Sequence, residues 1–239
     1  MTGAASVKPL FQAMKPKRDA RQAALADFAQ MPRPKDVRDP LDFDPTPKDA
    51  TRPFVAAELS HIRAHGRRVW ETAVGAGHIA EVLAEFGFEV VGNDVVDRGW
   101  PGVELRSFFD VEEARAPIQI TNPPYNQINA SNGHGRWLRH AMQCGASYVA
   151  LLLNADWPAA RINGFDSLLY DHPPSIEYLC CWKIDFRGGG APPQRNSWFV
   201  WDINRLPMGP NCWVRQRLYK DFQDPAQGVL GLDHIGSGV

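Results

Sequence analysis

Four consecutive residues, Asn122-Pro123-Pro124-Tyr125, join an amide, two backbone-stiffening rings and an aromatic face. An amide oxygen accepts a hydrogen bond from an amine N–H, prolines fix the loop, and a Tyr ring offers a flat surface for a planar substrate. The set suits work on an exocyclic amine. The lone pair of such an amine is delocalised into its ring, so the nitrogen is a poor nucleophile. Acceptors aimed at its N–H groups favour a pyramidal nitrogen and localise the pair, and a rigid loop lessens reorganisation as charge develops. No strong general base is needed, because the nitrogen becomes acidic only after it has reacted. On this reading the ring face of Tyr125 matters and its hydroxyl does not. The bland alternative is that Pro-Pro only breaks a strand and makes a turn.

A second constellation lies upstream, in Glu71-Thr72-Ala73-Val74-Gly75-Ala76-Gly77-His78-Ile79-Ala80. Glycines let the backbone turn sharply and approach a ligand, and the helix that follows offers free N–H groups at its start. Gly75-x-Gly77-x-x-Ala80 also fits the dinucleotide fingerprint, and a plain tight turn is the alternative. Asp94 lies 19 residues after Gly75, at the end of the next strand. A carboxylate there can accept both ribose hydroxyls of any adenosine cofactor; otherwise it is an ordinary surface acid.

The elements that must position these residues follow from periodicity. Asp49–His65 carries Val55, Leu59 and Ile62 on one helical stripe, with Gly66 as its C-cap. Arg68–Glu71 reads as a strand, Gly77–Phe86 as a helix and Phe88–Val91 as a second strand. A third strand is expected near Val103–Phe108 and a fourth over Pro117–Thr121, then a polar loop and a helix near Gly135–Gln143. Tyr148–Leu153 is continuously apolar, as a strand buried on both faces must be. Ser175–Ile184 and Asn196–Ile203 are β-rich runs joined through the Gly/Pro-rich loop Arg187–Arg195, an expected antiparallel pair. Strands alternating with helices imply an α/β fold with a mostly parallel, Rossmann-like twisted sheet, helices on both faces and a C-terminal antiparallel hairpin.

Bulk properties bound the rest. The 239 residues suit one large domain with an appendage, and 44% hydrophobic content supplies a core. Residues 1–45 read as a basic arm with a possible helix at Lys17–Met31, residues 46–220 as the catalytic domain, and 221–239 as a tail. Residues 1–38 carry eight basic side chains against three acidic ones, so they suit either a phosphate backbone or plain solvation. No apolar run approaches the ~20 residues that span a bilayer, and no apolar stretch follows the basic N-terminus, so a cytoplasmic protein is expected. Cys144, Cys180, Cys181 and Cys212 form no C-x-x-C pair and have no His at zinc spacing. Reduced cysteines in or near a core, and no metal, are expected.

The order of acid, glycine turn, ribose acid and Asn122–Tyr125 resembles the class I S-adenosylmethionine-dependent methyltransferases that act on amino groups. Glu71, Gly75 and Gly77 match the family turn, with Thr72 where the family often has proline. Phe43-Asp44-Pro45-Thr46-Pro47 is similar to the F-x-x-P segment that contacts the cofactor, and Asp110 occupies the acidic position that approaches the adenine amine. The resemblance implies S-adenosyl-L-methionine bound by Phe43, Pro45, Thr46, Glu71, Ala73, Gly75, Gly77, Asp94, Val95, Asp110 and Asn122. It implies catalysis by Asn122, Pro123, Pro124 and Tyr125, with the Pro123 carbonyl as second acceptor and the sulfonium methyl passing in line to nitrogen. Leu151–Trp157, His172-Pro173-Pro174 and Trp198–Asp202 look like small phage- and prophage-type DNA adenine methyltransferases, so the likeness spans Phe43–Asp202.

The implied substrate is a nucleobase flipped from its stack, adenine N6 of DNA foremost. Cytosine N4 is the other base, although those enzymes more often carry Ser in place of Asn122. The same tetrapeptide serves enzymes acting on glutamine side chains of proteins or on guanine in RNA. Only 22 residues separate Tyr125 from Tyr148, which leaves no room for a sizeable recognition insertion. Arg136, Arg187 and Arg195 are the candidate nucleic-acid contacts, with structural arginines as the alternative. Trp157, Trp182, Trp198 and Trp201 serve as base platforms or, more simply, as core. A nicotinamide-dependent oxidoreductase would use the glycine turn but leaves Asn122–Tyr125 unexplained, and an intact tetrapeptide argues against a silent DNA-binding accessory protein.

Overall fold

Tyr148–Leu153 alternates between two apolar layers. Tyr148, Ala150 and Leu152 join one buried cluster, while Val149, Leu151 and Leu153 join another. Such a strand must sit mid-sheet with helices above and below. The computed structural model, which describes residues 43–131, 133–190 and 194–221, places it there. The expected basic arm 1–38 and the tail beyond residue 221 lie outside the described residues.

In chain order the elements are α1 (Lys48–Ala64), β1 (Arg68–Glu71), α2 (His78–Glu85), β2 (Glu89–Asp94), β3 (Glu104–Leu105), β4 (Ile118–Thr121), α3 (Tyr125–Ile128), α4 (Arg136–Cys144), β5 (Tyr148–Asn154), α5 (Phe165–Asp171), β6 (Ile176–Cys180), β7 (Asn196–Asp202) and β8 (Val214–Leu218). The strands form one sheet in the order β3-β2-β1-β4-β5-β7-β6-β8. Pairing is parallel except at β7, which runs antiparallel to both β5 and β6. On one face Phe54 and Ile62 of α1 and Val82 and Leu83 of α2 pack on Val69, Ile118 and Trp198. On the other, Trp137 and Leu138 of α4 and Phe165 of α5 pack on Trp70, Val149 and Phe199.

The α/β expectation holds, with corrections of detail. The second strand runs three residues further than expected, so Asp94 is its last residue. The third is only Glu104–Leu105, because Phe108–Asp110 turns into a 3-10 helix capped by the Ser107 side chain. The expected hairpin is a true antiparallel pair, with β7 between β5 and β6, but it is not terminal, because β8 follows it and pairs parallel with β6 at the edge. Three elements went unread: the single-turn helix α3, which falls in the expected polar loop, α5 and β8. Strand β8 is exposed at four of five positions and buries only Leu218, because it is an edge strand that no buried face patterns. Trp157, Trp198 and Trp201 are core residues and Trp182 is half-buried, so the simpler reading of the tryptophans stands. Cys144 and Cys180 are buried, whereas Cys212 is exposed, against expectation.

The strand order reverses between β1 and β4, so their carboxyl ends diverge and open a crevice, where open α/β sheets bind ligands. Glu71 ends β1, Asp94 ends β2 and Asn122 follows β4. Because β7 runs the other way, it brings its first residue, Asn196, to this same end, opposite Asn154 of β5.

Candidate active site

The crevice holds two adjoining cavities of about 780 and 800 Å³ of open space. Ala73, Asp94, Val95 and Pro124 line both, so Asp94 stands at the waist of one elongated cleft.

The glycine turn is shaped by Asp94. One carboxylate oxygen accepts from Gly75 N at 2.8 Å and the other from Val96 N at 3.1 Å. A carboxylate has about four lone-pair sites, so two remain for hydroxyl donors. The preceding residue, Asn93, is fully buried and braces the floor: its oxygen accepts from Trp70 Nε1 at 2.6 Å, and its nitrogen donates to Arg106 O at 3.0 Å. Asn93 is a buried support of the cleft that pattern reading missed. An Asn inside a strand carries no motif, and only its burial shows its role.

Gly75 and Gly77 both need positive φ, +54° and +86°, and each also faces an aromatic ring. A Cβ on Gly75 would come 2.6 Å from the Phe43 ring, which roofs the cleft beneath the Arg98 guanidinium at 3.9 Å. A Cβ on Gly77 would come 2.1 Å from Trp100. Gly75 lines the cleft; Gly77 does not, and its missing side chain makes room for Trp100.

Glu71 is buried and accepts the Ala80 N–H at the start of α2, where an anion is favoured. Its other oxygen has no hydrogen-bond partner among the described residues. Burial pushes its carboxyl well above the ordinary range; the Ala80 bond opposes the shift and the Asp94 carboxylate adds to it. Such a carboxyl next to a cleft suits a ligand that brings a positive charge.

The same cavity is lined by the tetrapeptide. Prolines 123 and 124 carry the chain from β4 into the single-turn helix α3, which begins at Tyr125. The Asn122 nitrogen donates to Thr46 Oγ1 at 3.0 Å, while its oxygen has no hydrogen-bond partner among the described residues. An unpartnered buried acceptor costs about 1–3 kcal/mol and marks a place where a ligand donor is wanted. The Tyr125 hydroxyl accepts from Asn196 Nδ2 at 2.8 Å. The hydroxyl thus has a structural partner, which the sequence expectation for Tyr125 did not include.

The structure brings Phe43, Pro45, Thr46, Glu71, Ala73, Gly75, Asp94, Val95, Asn122, Pro123, Pro124 and Tyr125 together around one cavity. Asp110 stays out of it. It ends the 3-10 helix, exposed, and lines neither cavity; Ser107, Phe109 and Trp137 line the second instead. Trp137 Nε1 is buried there without a hydrogen-bond partner among the described residues. Of the arginines, Arg136 lies on the rim of that cavity, 3.8 Å from the Phe109 ring centroid. Arg187 is exposed and ion-paired with Asp44 at 2.9 Å, and Arg195 is exposed at the start of β7.

A scan of protein-family models found no match, nor did a search of curated proteins. Solved structures do match. A putative class I S-adenosylmethionine-dependent methyltransferase from Listeria monocytogenes superposes with TM-score 0.55 at 14% identity, over 88% of this chain and 76% of that one. A putative RNA methyltransferase from Pyrococcus horikoshii gives 0.54 at 16%, over 77% and 98%. A type I restriction-modification methyltransferase subunit from Streptococcus thermophilus gives 0.50 at 12%, over 68% and 45%. At such identities the likeness is one of fold, and this chain has the Rossmann-like class I methyltransferase fold.

Proposed function

We propose that this protein transfers a methyl group from S-adenosyl-L-methionine to the exocyclic amine of a nucleobase, adenine N6 of DNA foremost. One observation carries the reading: the Asn122 oxygen, an acceptor without a partner among the described residues, lies beside the glycine-turn cleft at the carboxyl end of β4.

The cleft fits the cofactor. Its waist holds a carboxylate suited to ribose hydroxyls. One end holds Phe109, Trp137 and Arg136, suited to a flat heteroaromatic base. The other holds Glu71, whose burial favours a cationic partner. A cofactor with a sugar at its centre, a purine at one end and an ammonium-bearing tail at the other matches that sequence. When bound it supplies an electrophilic methyl group.

The residues around the acceptor do the rest. Asn122 accepts one N–H of the amine and the Pro123 carbonyl the other, which turns the nitrogen lone pair towards the cleft. Pro123 and Pro124 keep that geometry fixed, so little reorganisation is needed as charge develops. Tyr125 stacks against the base. The nitrogen proton leaves to solvent after the new N–C bond has formed. A nicotinamide reaction would leave the Asn122 acceptor without a task.

The solved relatives include proteins described as RNA and restriction-modification methyltransferases, which supports a nucleic acid as the polymer. The test is to incubate the protein with methyl-labelled cofactor and unmethylated DNA, RNA and protein, then digest each and weigh the products. N6-methyladenine from DNA is expected. Label confined to glutamine or to RNA would keep the chemistry and replace the substrate. Label in none would overturn the function.

A further inference from the structure

We infer that Thr46 and Asn196, which lie outside the tetrapeptide, are the residues that position it: Thr46 sets which end of the Asn122 amide faces the substrate, and Asn196 pins the Tyr125 ring. The inference rests on the reading of Asn122 as an acceptor.

A side-chain amide can be turned either way, and only one way serves. With its oxygen towards the amine, Asn122 accepts; with its nitrogen there, it sets donor against donor. The deciding contact is Asn122 Nδ2 to Thr46 Oγ1, 3.0 Å. Thr46 is only 5% exposed, so water does not compete for its oxygen. It sits just before α1, in the segment whose Phe43 ring presses on Gly75 and whose Asp44 is latched by Arg187. The orientation of the acceptor therefore depends on the segment that walls the cofactor cleft. The resemblance to known methyltransferases gave Thr46 to the cofactor; its hydrogen bond gives it to Asn122.

Asn196 works on the other end of the motif. It is 3% exposed, and its amide donates to the Tyr125 hydroxyl at 2.8 Å. It reaches the site because β7 runs antiparallel and starts where β5 ends. Loss of either partner removes this tie on the ring and weakens its stacking surface.

Four variants test this: Thr46→Val, Thr46→Ser, Asn196→Ala and Tyr125→Phe. Thr46→Val keeps the volume and removes the acceptor. Its single-turnover methylation rate should fall roughly tenfold, the equivalent of one lost hydrogen bond, while affinity for S-adenosylhomocysteine stays close to wild type. Thr46→Ser should restore most of the rate. Asn196→Ala and Tyr125→Phe should each raise KM for the nucleic acid, and the double variant should be no worse than either alone. A wild-type rate in Thr46→Val overturns the Thr46 assignment, as does an equal loss of rate and cofactor affinity. Additive losses in the double variant overturn the Asn196 assignment. The side-chain amide resonances of Asn122 read the same contact without any turnover. They should shift in Thr46→Val and not in Thr46→Ser, and no shift in either overturns the claim. A wild type that transfers no methyl group but passes this resonance test would sink the proposed function and leave the positioning intact.

Discussion

Asn122 and Glu71 line one cavity, and each has a buried oxygen that the described residues leave unpartnered. They should fail differently. On the proposed function, Asn122→Ala removes an interaction with the reacting amine, so its rate should fall about 10²–10³-fold, in the range known for a lost preorganised hydrogen-bonding group. Cofactor affinity, read by calorimetric titration with S-adenosylhomocysteine, should hardly change. Glu71 should show in the pH dependence. Its folded-state carboxyl titrates well above the unfolded value, so the folded chain holds the extra proton. The contribution to stability is then full below the ordinary Glu range and is lost as pH rises through the raised value. Melting temperature of the cofactor-free protein should decline across that window, and Glu71→Gln, which cannot titrate, should flatten the decline. A cationic ligand favours the ionised form, so binding should release a proton, measurable as heat that varies with the buffer. Identical pH profiles for wild type and Glu71→Gln would remove Glu71 from this role.

The elements that frame the cleft were legible where a buried face imposes a period. Helix α1, strand β5 and the β6–β7 pair all came from apolar spacing. Helix α5 and strand β8 did not, the first because it is short and the second because its edge position leaves no face to pattern. In the glycine turn the sequence showed two glycines but not their separate tasks. Gly75 faces the cleft beneath Phe43, whereas Gly77 makes room for Trp100. Gly77→Ala therefore adds a contact at 2.1 Å to a φ of +86° and should cost at least about 1–2 kcal/mol of stability. Trp100→Ala in the same chain should recover only the steric part, as read by denaturant midpoints. At the far end of the sheet, Ser147, His65 and Asp202 form a hydrogen-bonded chain with links of 2.8 Å. It looks like a nucleophile relay, but the neighbouring backbone donors are taken, since Ser147 N and Tyr148 N both donate to the Pro117 carbonyl. Its evident work is to tie the end of α1 to β5 and β7.

Across the whole molecule, the mostly parallel α/β fold and the convergence of Glu71, Asp94 and Asn122 were within reach of the sequence, because strand ends and motif order place them; the strand order was not. The roles of Asn93, Thr46, Asn196 and Trp137 were not, since each depends on a contact between segments distant in the chain. Asp110 shows the reverse: its spacing suited the family pattern, but it ends an exposed turn while Ser107 and Phe109 line the cavity. No helix among the described residues is long and apolar enough to cross a membrane. The short span between Tyr125 and β5 leaves few groups to read bases, so specificity should be loose and phosphate contacts dominant. Binding to DNA should weaken steeply with salt, and methylated positions mapped on an unmethylated genome should share fewer than five fixed bases. A strict longer motif would show that residues beyond the cleft read sequence.

The most direct test of the account joins its two halves, the acceptor and the adenine amine. A short DNA duplex with one unpaired adenine, incubated at saturating labelled S-adenosylmethionine with excess enzyme, reports transfer without product release. N6-methyladenine is expected at that position with wild-type protein, and a rate lower by about 10²–10³-fold with Asn122→Ala. Equal rates in the two proteins would contradict it, as would label on any atom other than N6.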